Sequence, residues 1–228
     1  AIIEGYKIAR TNIQFSLSAS NDNCFAVTSW SKGEGKSTST SNIAISFAKM
    51  DKKVVLLDCD LRRPNIHNLL KIENTAGMTS VLCNDKTFDQ VVQREVLPKL
   101  DVLTVGTIPP NPSELIGSDN FANLIKELKK KYDYVIMDTA PIGMVTDTLL
   151  IGRVADLSVY VCRADYTHKA EYTLINELSI EKKLPNLCTV INGVDLKKRK
   201  YGYYYGYGKY GKHYGYGKRY GCGYGNGA

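Results

Sequence analysis

An α/β fold, with a mostly parallel central sheet flanked by helices, is predicted by three observations. Short apolar runs alternate with stretches of helical periodicity, as in a sheet wrapped by helices. Several runs are apolar at consecutive positions, which suits strands covered on both faces. The foldable part of the chain, residues 1–196, is the size of one domain with a sizeable core.

The elements follow in order. Residues 2–18 read as an opening helix, and CFAVTS (24–29) as a buried strand entering a glycine-containing loop. A helix over 36–49 follows, then the strand KVVLLD (53–58) and a short polar element ending near Leu70. DVLTVG (101–106) is the next strand, with the turn-rich PPNPSEL after it. A helix over 118–131 leads into YDYVIMD (132–138). ADLSVYVCR (155–163) and LCTVIN (187–192) complete the sheet, with a helix near 167–183 between them. Tyr132, Tyr134 and Tyr160 alternate within strands and belong to the core.

The second segment, 197–228, is a disordered Tyr/Gly-rich tail. Ten of the last 28 residues are tyrosine and ten are glycine, with no branched aliphatic residue to build a core. Glycine also maximises the entropy lost on ordering. Eight cations lie between Lys197 and Arg219 and no acid follows Asp195. Of the chain's 30 basic residues, 22 then remain in the body against 23 acids, so the net charge of +7 belongs to the tail. Nucleic acid or an anionic membrane could meet such a tail, but the near-neutral body offers no second basic surface, and nucleic acid is disfavoured.

Six cysteines without CxxC spacing fit a reducing compartment. Cys24, Cys59, Cys162 and Cys188 sit in or beside apolar runs, and Cys222 is the one expected to be exposed. The scattered His67, His168 and His213 argue against a histidine metal site. No apolar run is long enough to span a bilayer.

Between the first strand and its helix lies Ser31-Lys32-Gly33-Glu34-Gly35-Lys36-Ser37-Thr38, the context of a phosphate-binding P-loop. Its glycines let backbone N–H groups turn toward phosphate oxygens at a helix N-terminus. Lys36 would reach the β/γ-phosphates and Ser37 would offer its hydroxyl to Mg²⁺. Trp30 stands where the strict pattern has glycine. Two further strands end in acids: Leu56-Leu57-Asp58-Cys59-Asp60-Leu61-Arg62, and Val135-Ile136-Met137-Asp138-Thr139-Ala140-Pro141. Carboxyl ends of parallel strands face the ligand crevice, and Asp58, Asp60 and Asp138 with Ser37 make a suitable Mg²⁺ set.

With these motifs the chain resembles the bacterial tyrosine kinases of capsule and exopolysaccharide export, P-loop NTPases of deviant-Walker-like fold. The resemblance rests on the Walker A loop, a Walker A′ element with Asp58, Asp60 and Arg62, a Walker B element with Asp138 and Pro141, PPNPSEL at 109–115 and the terminal tyrosine cluster. It implies ATP and Mg²⁺ as cofactors. It also implies autophosphorylation at Tyr201, Tyr203, Tyr204, Tyr205, Tyr207, Tyr210, Tyr214, Tyr216, Tyr220 and Tyr224. Asp58 is the first choice for accepting the tyrosine proton, with Asp60 on the metal, Asp138 acting through water and Arg62 near phosphate or an acid. Asn192 is similar to the family's base-contacting strand end, or simply starts a turn; Arg163 could reach the nucleotide.

The family's ExxRxxR contact motif is matched at Glu4 and Arg10, with Lys7 for the middle arginine. These three fall within one 120° arc of a helix, a polar face for a homo-oligomer, in the family a ring. Further implied are a transmembrane polysaccharide co-polymerase as activator, separate or fused upstream, a cognate tyrosine phosphatase, and a cytoplasmic place at the inner membrane face. Two alternatives remain. One is a nucleotide-switched partitioning or positioning ATPase, whose signature lysine would fall at Ser31 rather than Lys32; the other is a non-catalytic polysaccharide or membrane adaptor.

Overall fold

The computed structural model describes residues 2–17 and 21–195. Ala1–Asn192 forms one compact unit. All ten tail tyrosines and Cys222 lie outside the described residues.

In chain order the elements are α1 (Ile2–Ser16), β1 (Cys24–Thr28), α2 (Lys36–Ala48), β2 (Val54–Asp58), α3 (Ile66–Leu70), α4 (Met78–Leu82), α5 (Phe88–Val91) and β3 (Gln93–Leu97). Then come β4 (Leu100–Leu103), α6 (Pro112–Ile116), α7 (Asp119–Lys131), β5 (Tyr134–Asp138), α8 (Asp147–Ile151), β6 (Leu157–Arg163), α9 (Lys169–Ile180) and β7 (Cys188–Asn192). Among the described residues the strands form one sheet in the order β3-β4-β2-β5-β1-β6-β7, parallel throughout except for β3 against β4.

Consecutive apolar residues of each central strand point to opposite faces and build two cores. Cys24, Ala26, Val55, Leu57, Val135 and Met137 pack with Phe121, Ile125 and Leu128 of α7 and with Met78 and Leu82 of α4. Phe25, Val27, Leu56 and Ile136 pack on the other face with Ile43 and Phe47 of α2 and Ile13 of α1. α9 covers Tyr160 through Ile175. No helix among the described residues is long and apolar enough to cross a membrane.

The short helices α4, α5 and α8 were not expected from the sequence, and three further features depart from it. β3, QREVL, pairs antiparallel at the sheet edge with a bulge near Glu95, whose φ is 48°. An edge strand needs little apolar surface, so its polar sequence hides it. PPNPSEL is not only a turn, since Pro112–Ile116 is a helix with proline at its first positions, where a missing N–H costs nothing. Cys83, not expected from the sequence to be exposed, is an exposed thiol, while Cys24 and Cys59 are buried and Cys162 and Cys188 partly so.

Candidate nucleotide and phosphotransfer site

The three motif-bearing strands are neighbours in the sheet, β2-β5-β1. Register places Asp58 directly beside Asp138, and Asp138 beside Val27, one residue before the end of β1. The P-loop, the Asp58–Arg62 turn and the Asp138–Pro141 turn therefore emerge together. They surround a cavity of about 370 Å³ lined by residues 31–38 on one side and by Asp60, Arg62, Arg63 and Asn65 on another. Pro141, Met144 and Val145 complete the wall.

Lys36 opens α2 and turns back across the loop. Its Nζ lies 2.8 Å from Asp138 Oδ1 and 3.1 Å from Ser37 Oγ. This ion pair is buried, with side chains 8% and 1% exposed. The Thr40 hydroxyl is 2.9 Å from both the Lys36 carbonyl and Asp138 Oδ1. Asp138 Oδ2 is buried with no hydrogen-bond partner.

Asp58 lies beneath the cavity wall, 0% exposed. Its Oδ2 accepts the N–H groups of Asn65 and Ile66, each at 3.1 Å, and its Oδ1 that of Asp60 at 3.3 Å. Burial pushes its carboxyl up to about 7, the Asp138 charge adds to the shift, and the Ile66 N–H and Lys36 oppose it. Asp60 lines the cavity and accepts from Arg63 N at 3.0 Å. Burial raises its carboxyl as well, against the pull of Lys36.

The P-loop is held from outside. Gly33 and Gly35 take φ values of 84° and 85°, a region that favours glycine, and a Cβ on Gly35 would lie 2.1 Å from Asn192 Nδ2. Tyr166 donates its hydroxyl to the Lys32 carbonyl at 2.9 Å, Arg163 Nη1 donates to the Gly33 carbonyl at 2.9 Å, and Asn192 Nδ2 donates to the Glu34 carbonyl at 3.0 Å. The Glu34 carboxylate accepts from Ser31 N at 2.8 Å and from the Thr167 hydroxyl. Glu34 therefore serves the loop with its backbone while its side chain is tied inward. Trp30 packs against Gly143, where a Cβ would come within 2.6 Å of the indole.

The expected site residues thus fall into three groups. Gly33, Glu34, Gly35, Lys36, Ser37, Thr38, Asp60 and Arg62 line the cavity and Asp58 and Asp138 are buried outside its lining, whereas Asn192 and Arg163 brace the loop. Glu4, Lys7 and Arg10 all lie on α1, with different partners. Lys7 pairs with Glu4 at 2.7 Å in solvent, while Arg10 Nη1 donates to the Ser46 carbonyl at 3.0 Å. The reason is that α1 packs on α2 through the side that carries Ile13. Tyr166, Thr167, Thr40 and Asp147 belong to none of the motifs, and Ser113 lies in PPNPSEL, which carried no site assignment.

The residues fit a nucleotide with Mg²⁺. The loop has the two left-handed glycines of an anion-binding nest, a lysine already in place and a buried unpartnered carboxylate oxygen. Among the described residues no three His, Cys, Asp or Glu side chains gather as a metal site of their own.

Fold and site together define a P-loop nucleotide-binding protein. A family described as AAA domain matches residues 23–169. The tyrosine-protein kinase YwqD of Bacillus subtilis (strain 168) is 43% identical over 202 residues, covering 88% of this chain and 85% of that protein. The putative tyrosine-protein kinase CapB of Staphylococcus aureus is 34% identical, with 90% of each chain covered. The kinase domain of the Escherichia coli tyrosine kinase ETK superposes with a TM-score of 0.80 at 32% identity, over 84% of this chain and 75% of that one. The chain belongs to the bacterial tyrosine-protein kinases and is itself a tyrosine-protein kinase of P-loop fold. Some relatives are much longer: the chain spans 28% of the etk protein of Escherichia coli (strain K12).

Proposed function

We propose that this kinase transfers the γ-phosphoryl group of ATP to its own C-terminal tyrosines, Tyr201 to Tyr224, between subunits of a homo-oligomer. The observation that carries the reading is the buried pair between Lys36 at the start of α2 and Asp138 at the end of β5, with Asp58 alongside on the adjacent strand and Asp60 on the cavity wall. Bound Mg-ATP supplies the transferable group and a divalent charge; Ser37, Asp60 and the free oxygen of Asp138 are the residues that would hold the metal, Asp138 through water. Lys36 neutralises charge on the β/γ-phosphates, where positioning and electrostatics do most of the work.

A tyrosine hydroxyl near pKa 10 needs a carboxylate to orient it or take its proton. The sequence assigns that role to Asp58. Asp60, which lines the cavity while Asp58 lies beneath it, is the better placed to meet the hydroxyl. Asp58, held up at about 7, is the neighbouring acid whose charge changes near neutral pH. Asn192 steadies the loop.

The eight tail cations make the tail a strong electrostatic element. Each phosphate adds roughly −1.5 to −2 charges, so about four or five reverse its sign and loosen the oligomer, a change that light scattering would read. The same reading places the chain at the inner face of the cell membrane, docked on a transmembrane polysaccharide co-polymerase and opposed by a tyrosine phosphatase. There it regulates capsular or exopolysaccharide synthesis. Glu4, Lys7 and Arg10 are proposed to contribute to subunit contact, with Arg10 acting through α2.

The test is phosphosite mapping by mass spectrometry on phosphatase-treated protein given Mg-ATP, with Lys36→Met in parallel. Phosphate on Tyr201 to Tyr224 that vanishes in the variant supports the reading. ATP turnover without phosphotyrosine would point to a nucleotide switch instead.

A further inference from the structure

Three side chains from separate parts of the chain close a triangle at the rim of the phosphate cavity. Arg62, four residues past the end of β2, donates from Nε to Asp147 Oδ2 at 2.8 Å and from Nη2 to Ser113 Oγ at 2.8 Å. A longer contact of 3.4 Å joins Nη2 to Asp147 Oδ1. The Ser113 hydroxyl itself donates to Asp147 Oδ1 at 2.6 Å. Ser113 belongs to α6 and Asp147 opens α8, two short helices that pack on each other.

The triangle is lopsided. The Asp147 carboxylate is 3% exposed, while the guanidinium it holds is 41% exposed and forms part of the cavity wall. A buried acid kept only for stability would be served by a partner buried with it. Here the partner stands at the edge of the site; the Asp147 hydrogen bond and charge, with a smaller contribution from Asp60, raise the guanidinium further above its ordinary value.

A guanidinium has five N–H donors in one rigid plane. Asp147 and Ser113 occupy the Nε and Nη2 edge, and Nη1 makes no hydrogen bond among the described residues. Pinning one edge fixes the plane and so fixes where Nη1 points. It also removes, on folding, the side-chain freedom that an unpinned arginine would lose on binding.

We propose that Asp147 and Ser113 are positioning residues that hold Arg62 by one edge, so that Nη1 is offered to the terminal phosphoryl group of a nucleotide in the cavity. The proposal rests on the reading above that Mg-ATP binds there. Arg62 then distinguishes triphosphate from diphosphate, and α6 and α8 act on the reaction only through it.

The test is a double-mutant cycle read in binding. Affinities for ADP and for a non-hydrolysable ATP analogue, both with Mg²⁺, are measured by calorimetry on the full chain. The proteins are wild type, Arg62→Gln, Asp147→Asn, Ser113→Ala and the Arg62→Gln/Asp147→Asn double variant, each with its urea midpoint. Loss of one charge-assisted hydrogen bond should cut the preference for triphosphate by about tenfold or more in Arg62→Gln. Misorientation should cut it by about fivefold in Asp147→Asn and about threefold in Ser113→Ala. ADP affinity should stay within about twofold, and the double variant should lose no more than Arg62→Gln alone.

An unchanged preference in Asp147→Asn, or losses that add in the double variant, would show that Asp147 acts through folding and overturn the proposal. If Asp147→Asn does not fold, Ser113→Ala decides alone, because it keeps the ion pair; an unchanged preference there overturns the proposal. An unchanged preference in Arg62→Gln removes Arg62 from the phosphoryl site. Failure of the wild type to bind either nucleotide sinks the nucleotide reading itself.

Discussion

Replacing Lys36 by methionine should destabilise the nucleotide-free protein in a pH-dependent way. Lys36 and Asp138 form a 2.8 Å pair with 8% and 1% exposure, and Asp58 lies beside Asp138 in register. Removing one member of a buried pair costs about 3–5 kcal/mol, because the other charge is stranded. The stranded acids can escape by taking a proton. In the wild type Asp58 already stands at about 7 against an ordinary 3.8. A carboxyl whose folded value lies above its unfolded one favours the fold fully below the unfolded value, and that contribution is lost as pH rises through the folded value. For Asp58 the window runs from 3.8 to about 7.

Without Lys36, which opposes the shift, the window should extend to higher pH. At about 1.4 kcal/mol per pH unit for one proton, the variant should gain about 2–3 kcal/mol between pH 8 and pH 6, while the wild type, with Asp58 at about 7, gains about 1.4 kcal/mol, so the deficit of Lys36→Met should shrink by about 1–2 kcal/mol. Urea unfolding followed by circular dichroism at both pH values measures it. Lys36→Met/Asp138→Asn, which removes both charges, should recover most of the loss at pH 8. A single variant within about 1 kcal/mol of wild type at pH 8, or a double variant no better than the single, refutes the reasoning. The outcome also decides whether Lys36→Met is a folded control for phosphorylation assays.

Two further outcomes are expected. Gly35→Ala must hold a left-handed φ of 85° and displace Asn192 from its 3.0 Å bond to the Glu34 carbonyl; it should lose about 2–3 kcal/mol of stability and more than about tenfold in nucleotide affinity by calorimetry, and unchanged affinity would contradict the loop geometry. Tyr132→Phe removes a hydroxyl that donates to Asp101 Oδ2 at 2.6 Å and accepts from Arg94 Nη1 at 2.8 Å, just before β5 and at the opposite end of that strand from Asp138. It should lower stability by about 1–2 kcal/mol with kinase turnover unchanged, and lost turnover at full stability would count against that separation.

The six parallel strands were legible because burial on both faces writes itself into sequence as unbroken apolar runs such as VVLL and YVIM. β3 was not, since an antiparallel edge strand that leaves Arg94 and Glu95 exposed carries no such run. The convergence of Lys36, Asp58, Asp60 and Asp138 was legible too, because parallel strands deliver their ends to one side of the sheet. Which acid faces the cavity was not, because it depends on the Asp58 carboxylate being capped by the N–H groups of Asn65 and Ile66, seven and eight residues on. Arg10 sits at the right helical spacing, yet the packing of α1 on α2 turns it onto Ser46. Asp147 and Tyr166 belong to contacts between distant segments, which no spacing rule reaches, and PPNPSEL displays Ser113 without showing that it meets Arg62 and Asp147.

Three successive P-loop carbonyls, those of Lys32, Gly33 and Glu34, are each gripped by a side chain from the last third of the domain. The ordering entropy of the loop is therefore spent when the domain folds, and a nucleotide arriving at the cavity does not have to meet it again. It follows that the motif is not portable. A chain cut before β6 would keep every residue of the phosphate signature and lose the grip that makes it a receptor.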